Sequence, residues 1–155
     1  MSDLSELPTI WVFSDLAEDR PRETIQGMAG KVQEFLGLRV KVEDVVYMPG
    51  LDAPANKPHP FIYFISIHND SPVSVTLRGR KWVVREDDGE VTVVEGEGIV
   101  GQTPEIVPGG SFSYNSYHVV ALDAVAEGAF FGETAVGEWI YTRIPSFHLT
   151  VPKWT

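Results

Sequence analysis

The chain has 155 residues, with 12 Lys+Arg against 22 Asp+Glu and a net charge of −10. That length fits one domain able to bury a core unaided, and the absence of cysteine excludes disulfides, thiolate metal sites and thiol nucleophiles. No apolar run nears bilayer length and Met1–Glu6 lacks the features of a signal peptide, so a soluble cytoplasmic protein with no membrane partner is expected.

Thr9–Phe13 reads as a short strand or a docked apolar arm. Ile25, Met28, Val32, Phe35 and Leu36 then share one face of a 3.6-residue period, which predicts a helix over Pro21–Leu36. Pro21 suits its first turn and Gly37 the position after its end. Gly27 and Gly30 weaken it, each by about 1 kcal/mol against alanine. This helix therefore needs its apolar face buried, against the domain or a partner.

From Leu38 the pattern changes to strands. Leu38, Val40 and Val42 alternate with charged residues, as a half-buried strand does. Pro49 to Pro60 contains four prolines and is expected to be a long loop. Phe61–Ile67 is apolar on both faces, which fits the middle of a sheet. Asn69-Asp70-Ser71-Pro72 is turn chemistry. Val73, Val75 and Leu77 are apolar at odd positions, whereas Trp82 and Val84 are apolar at even ones. The parity flip predicts a β-bulge, placed at Gly79, that turns Trp82 into the core. Asp88-Gly89 reads as a hairpin turn joining Trp82–Arg85 to Val91–Val94. Further strands are expected around Phe112–Val120, Ala129–Val136, Trp139–Arg143 and Phe147–Val151. The whole predicts an all-β antiparallel sandwich of seven to nine strands, with Trp82, Phe61, Tyr63 and Ile65 in its core.

The charge is uneven: no Lys or Arg occurs from Glu86 to Thr142. Such a field repels phosphate backbones, so no nucleic-acid partner is expected. Arg78, Arg80, Lys81 and Arg85 read as a solvated strand face balancing the acidic half.

Gly96-Glu97-Gly98-Ile99-Val100-Gly101 matches the glycine pattern of dinucleotide folds. Pro104 and Pro108 forbid the helix that should follow, and Glu95 and Glu97 bring negative charge to the phosphate position. Glycines that allow tight turns and close packing are the simpler reading. A small-ligand site at Gly96, Gly98 and Gly101 is the alternative.

Several ordered motifs together resemble the ApaG domain family over about residues 38–155. They are Gly96–Pro104, Pro108-Gly109, Phe112–Ser116, Phe61–Asn69, Arg80-Lys81-Trp82, Gly128 to Gly132, and Ile144–Leu149. Lys81, Tyr117-His118 and Phe130 depart from its usual residues. The resemblance implies a fibronectin-III/immunoglobulin-like β-sandwich. It also implies a link to cobalt and magnesium tolerance, and a role in protein interaction, with pyrophosphate binding once suggested by the glycines. Residues 1–37 fall outside it as an N-terminal helical extension, and 38–155 form the domain.

His59, His68, His118 and His148 share no metal-ligand spacing, and Glu86-Asp87-Asp88 offers at most a loose association with a hard cation. No metal site, cofactor or catalytic constellation is expected. The sequence therefore predicts a non-enzymatic binding module for a protein or peptide partner and leaves homo-oligomer formation open. A ligand or ion site for nucleotides, Co²⁺ or Mg²⁺ is the alternative.

Overall fold

The computed structural model describes residues 32–153. Thr9–Phe13, the Pro21–Lys31 part of the expected helix, Trp11 and Trp154 lie outside these residues. Among the described residues, nine strands form two sheets, and the chain is all-β. The strands are β1 (Val32–Glu34), β2 (Leu38–Tyr47), β3 (His59–Asn69), β4 (Val75–Glu86), β5 (Val91–Glu97), β6 (Glu105–Ile106), β7 (Ser111–Val120), β8 (Ala124–Thr134) and β9 (Trp139–Leu149). The larger sheet runs β1-β9-β8-β4-β5, with β6 also on β4, and the smaller runs β2-β3-β7. Every pairing is antiparallel except β1 with β9, which is parallel.

The last turn of the expected helix is corrected. Val32 pairs with Trp139 and Glu34 with Tyr141, and the Phe35 amide continues the pattern to the Tyr141 carbonyl at 2.8 Å. Phe35 packs on the core while Leu36 projects into solvent. A strand position gives this stretch backbone partners on β9 that a glycine-weakened helix end lacks. The larger sheet thus begins before Leu38.

Between the sheets lies one apolar layer that includes Phe61, Tyr63, Ile65 and Ile67 of β3 and Val75, Leu77, Trp82 and Val84 of β4. β3 is the central strand of its sheet, as its two-sided apolar pattern requires. Three bulges let long strands keep feeding this layer. On β2 the register shifts between Val42 and Asp44, so Val40 and Val42 precede it and Val45 and Tyr47 follow it against the core. On β4 the shift falls between Leu77 and Gly79, leaving Arg78 as the extra residue, beside the glycine marked from the sequence. On β9, Pro145 and Ser146 oppose Glu127 alone, between the pairs Gly128↔Ile144 and Ala126↔Phe147. The prediction of two strands there is corrected to one bulged strand, since Pro145 sits where the ladder is already broken. β8 likewise starts at Ala124 rather than Ala129.

Asn69 fastens one end of the sandwich. It is fully buried, and its Nδ2 donates to the carbonyls of Val73 and Ile106 at 2.8 and 2.7 Å. Its Oδ1 accepts from the Ser71 amide and hydroxyl.

Candidate functional site

The glycine segment has a structural account at each glycine. At Gly96, a Cβ would overlap the guanidinium of Arg80. Arg80 crosses that gap and donates from Nη1 to the Glu97 carbonyl at 2.9 Å. At Gly98 the backbone is left-handed, with φ of 71°, and a Cβ would lie 2.7 Å from the Gln102 carbonyl. Ile99 and Gln102 then exchange both backbone hydrogen bonds, at 2.8 and 3.0 Å, around Val100 (φ 45°) and Gly101 (φ 81°). Two consecutive left-handed residues define a type I′ turn. Val100 is an unusual occupant, since β-branched residues avoid that region. The Gly98 amide is bonded to the Arg78 carbonyl at 2.7 Å. Of the amides that would cradle a pyrophosphate, those of Gly98 and Ile99 are therefore bonded within the fold, and those of Val100 and Gly101 remain at the tip of the turn.

β5, which leads into this turn, is an edge strand of the larger sheet. Its hairpin with β4 is a three-residue connection: the Glu86 amide donates to the Glu90 carbonyl, the Gly89 amide to the Glu86 carbonyl, and Gly89 has φ of 92°. The bonds at 86/90 and 78/98 fix the ladder's alternation. Thr92, Val94 and Gly96 turn their backbone groups to β4, so Val91, Val93 and Glu95 turn theirs to the open side. Val91 and Val93 are 47% and 50% exposed, and Val94 is 39% exposed. Val93 lies beside buried Val83 on the outer face. Arg80 takes the Glu97 carbonyl, so the open run is five residues, Val91 to Glu95.

The basic cluster is a solvated face balancing acidic residues at Arg78 and Arg85 only, and that reading is corrected for Arg80 and Lys81. Arg80 reaches back across Gly96, Lys81 is buried, and Arg78 and Arg85 pair with Glu133 and Glu127. The acidic cluster also disperses. Glu86 turns inward with its side chain 2% exposed and binds Lys57 and the amides of Ala121 (2.9 Å) and Leu122 (3.0 Å). Burial raises its pKa, but Lys57 and the two amides outweigh that, so its pKa lies below the ordinary carboxylate value. Asp87 and Asp88 stay exposed at the turn.

His118 was missed as a core residue. Its ring stacks on Tyr63 at 4.7 Å and meets Trp82 edge-on at 4.8 Å, and Phe147 packs against both Tyr63 and Trp82. Burial pushes its pKa down to about 4, and its Nε2 is buried with no hydrogen-bond partner. His59 Nδ1 instead meets the Tyr47 hydroxyl at 2.9 Å, and His148 is exposed. Among the described residues, no three His, Asp or Glu side chains converge as a metal site.

The fold and its open edge define a small two-sheet β-sandwich domain. The ApaG domain model matches residues 50–133. Protein ApaG of Shewanella sediminis is 33% identical over 122 residues, covering 78% of this chain and 94% of that protein. Protein ApaG of Deinococcus radiodurans is 39% identical over 92 residues, covering 59% and 72%. The solved structure of a putative ApaA protein from Bordetella pertussis superposes with a TM-score of 0.67 at 26% identity, covering 75% and 94%. The chain belongs to the ApaG domain family.

Proposed function

We propose that this chain is a non-enzymatic binding module that works in the cytoplasm and captures an extended segment of a partner protein by adding it as a strand beside β5. The observation that carries this reading is the Val91–Glu95 edge, where three residues offer backbone donors and acceptors to the open side next to exposed valines. In strand addition, main-chain hydrogen bonds supply affinity and alternate side chains supply selectivity. Natural edge strands are usually blunted by proline, inward charge or a cover; β5 has no proline.

The test uses NMR titration of the full chain with a short capped peptide of alternating Thr and Val. Saturable shifts at the amides of Val91, Val93 and Glu95 are expected, and those at Val91 and Glu95 should vanish in Val93→Pro. That substitution removes a donor facing the open side and leaves the ladder to β4 intact. Shifts absent from β5, or retained in Val93→Pro, overturn the reading.

The alternative, a nucleotide or ion site at Gly96, Gly98 and Gly101, has weaker support because the amides of Gly98 and Ile99 are bonded within the fold. Calorimetric titration with ATP, ADP, Mg²⁺ or Co²⁺ is expected to show no site tighter than about 1 mM, equivalent to about 4 kcal/mol. A micromolar site lost in a folded Gly98→Val variant would reverse the preference.

A further inference from the structure

We infer that the segment captured at β5 is cationic: an extended peptide whose every second residue sets apolar side chains beside Val91 and Val93 and a lysine or arginine beside Glu95. This rests on the strand-addition reading above. A strand laid beside β5 projects alternate side chains onto the outer face, next to Val91, Val93 and Glu95. Apolar residues match the two valines, and a cation matches Glu95, whose side chain is 47% exposed.

Carboxylates bracket the open run. Asp87 and Asp88 sit exposed at the hairpin end and form no ion pair among the described residues. At the other end lies Glu97, whose Oε2 is buried and accepts no hydrogen bond. The domain's own cations are committed elsewhere. Lys57 holds Glu86 and Glu90, Arg80 binds the carbonyl of Glu97, and Arg85 pairs with Glu127. Lys81 is the exception, pairing with Glu95 at 3.8 Å and leaving that carboxylate 47% exposed to solvent. With no Lys or Arg from Glu86 to Thr142, the field at this edge attracts positive charge and repels negative. A second copy offering its own β5 would bring two such acidic surfaces together, so a foreign cationic strand is the better match.

The experiment compares, by NMR titration of the full chain, capped peptides of alternating Thr and Val in which the Val facing Glu95 is replaced by Lys (Lys-Val), by Thr (Thr-Val) or by Glu (Glu-Val). The Lys-Val peptide is expected to bind at Val91, Val93 and Glu95 about tenfold more tightly than Thr-Val at low salt, a preference that salt erodes. Glu-Val should show no saturable shift. In Glu95→Gln, the Lys-Val advantage should shrink while Thr-Val binding is unchanged. Equal affinity of Lys-Val and Thr-Val at β5 overturns the cationic preference and leaves strand addition standing. Lys-Val binding away from β5, insensitive to Val93→Pro, overturns both. Shifts at β5 that grow with protein concentration alone identify a second copy and overturn the foreign strand.

Discussion

Replacing Trp82 by alanine is expected to lower unfolding stability by about 3–5 kcal/mol, the range for truncating a fully buried large aromatic. Trp82 is 2% exposed, and its ring lies 4.9 Å from Tyr63, 4.8 Å from His118 and 5.7 Å from Phe147. These rings come from β3, β7 and β9, so the indole joins both sheets. Its cavity cannot close easily, because Gly128 opposite is held against the strand: a Cβ there would strike the Lys81 carbonyl and approach the indole to 3.2 Å. Urea denaturation of Trp82→Ala should show the loss as a lower midpoint with an unchanged slope. A loss below about 1 kcal/mol would contradict the packing.

Glu86→Gln is expected to cost about 2–3 kcal/mol near neutral pH. Removing one member of a buried ion pair usually costs about 3–5 kcal/mol, and the effect is reduced here because Lys57 retains Glu90 at 3.0 Å. The pH dependence supplies a second readout. Because the folded-state pKa of Glu86 is depressed, its contribution is fully present above the unfolded carboxylate pKa of about 4.3 and disappears as pH falls through the lower folded value. Stability of the parent chain should therefore decline in acid more steeply than that of Glu86→Gln, and the two curves should converge there. Parallel acid profiles would show that Glu86 does not carry this linkage.

Much of the fold was legible because hydrophobic period is a local signal. Phe61–Ile67 revealed a central strand, Asp88-Gly89 a hairpin, and the switch from Leu77 to Trp82 a bulge within one residue of its place. The helix prediction over Pro21–Leu36 did not hold at its C-terminal end, because Val32–Glu34 is decided by a ladder to β9, more than a hundred residues later. The short β6 has only two residues, too few to show a period.

The candidate site was less legible. The glycine pattern drew attention to the turn, but its occupation by Arg80 and by paired amides depends on which strands meet. The inward turn of Glu86 looked like part of an acidic surface cluster, since Lys57 and the amides of Ala121 and Leu122 lie far away in sequence. His118 shares its even parity with the inward Phe112, Tyr114 and Val120, so alternation placed it on the core face although histidine itself does not mark burial. The openness of β5 is a property of sheet order, and sheet order is not written in any one segment.

The three bulges also decide what kind of change this chain can tolerate. β2, β4 and β9 are each two half-strands read in opposite phase, and the offset is stored as one residue, much as a reading frame is stored in a count of letters. Deleting Arg78 would leave a regular ladder in which Leu77 and Trp82 stand four apart and still face the core together, whereas deleting a paired residue such as Arg80 would put Trp82, Val84 and Glu86 out of phase with Leu77. Within these strands a one-residue deletion is therefore absorbed at the bulges and nowhere else, so an alignment gap among relatives that falls there signals a straightened ladder, while one a few residues away signals a refaced strand.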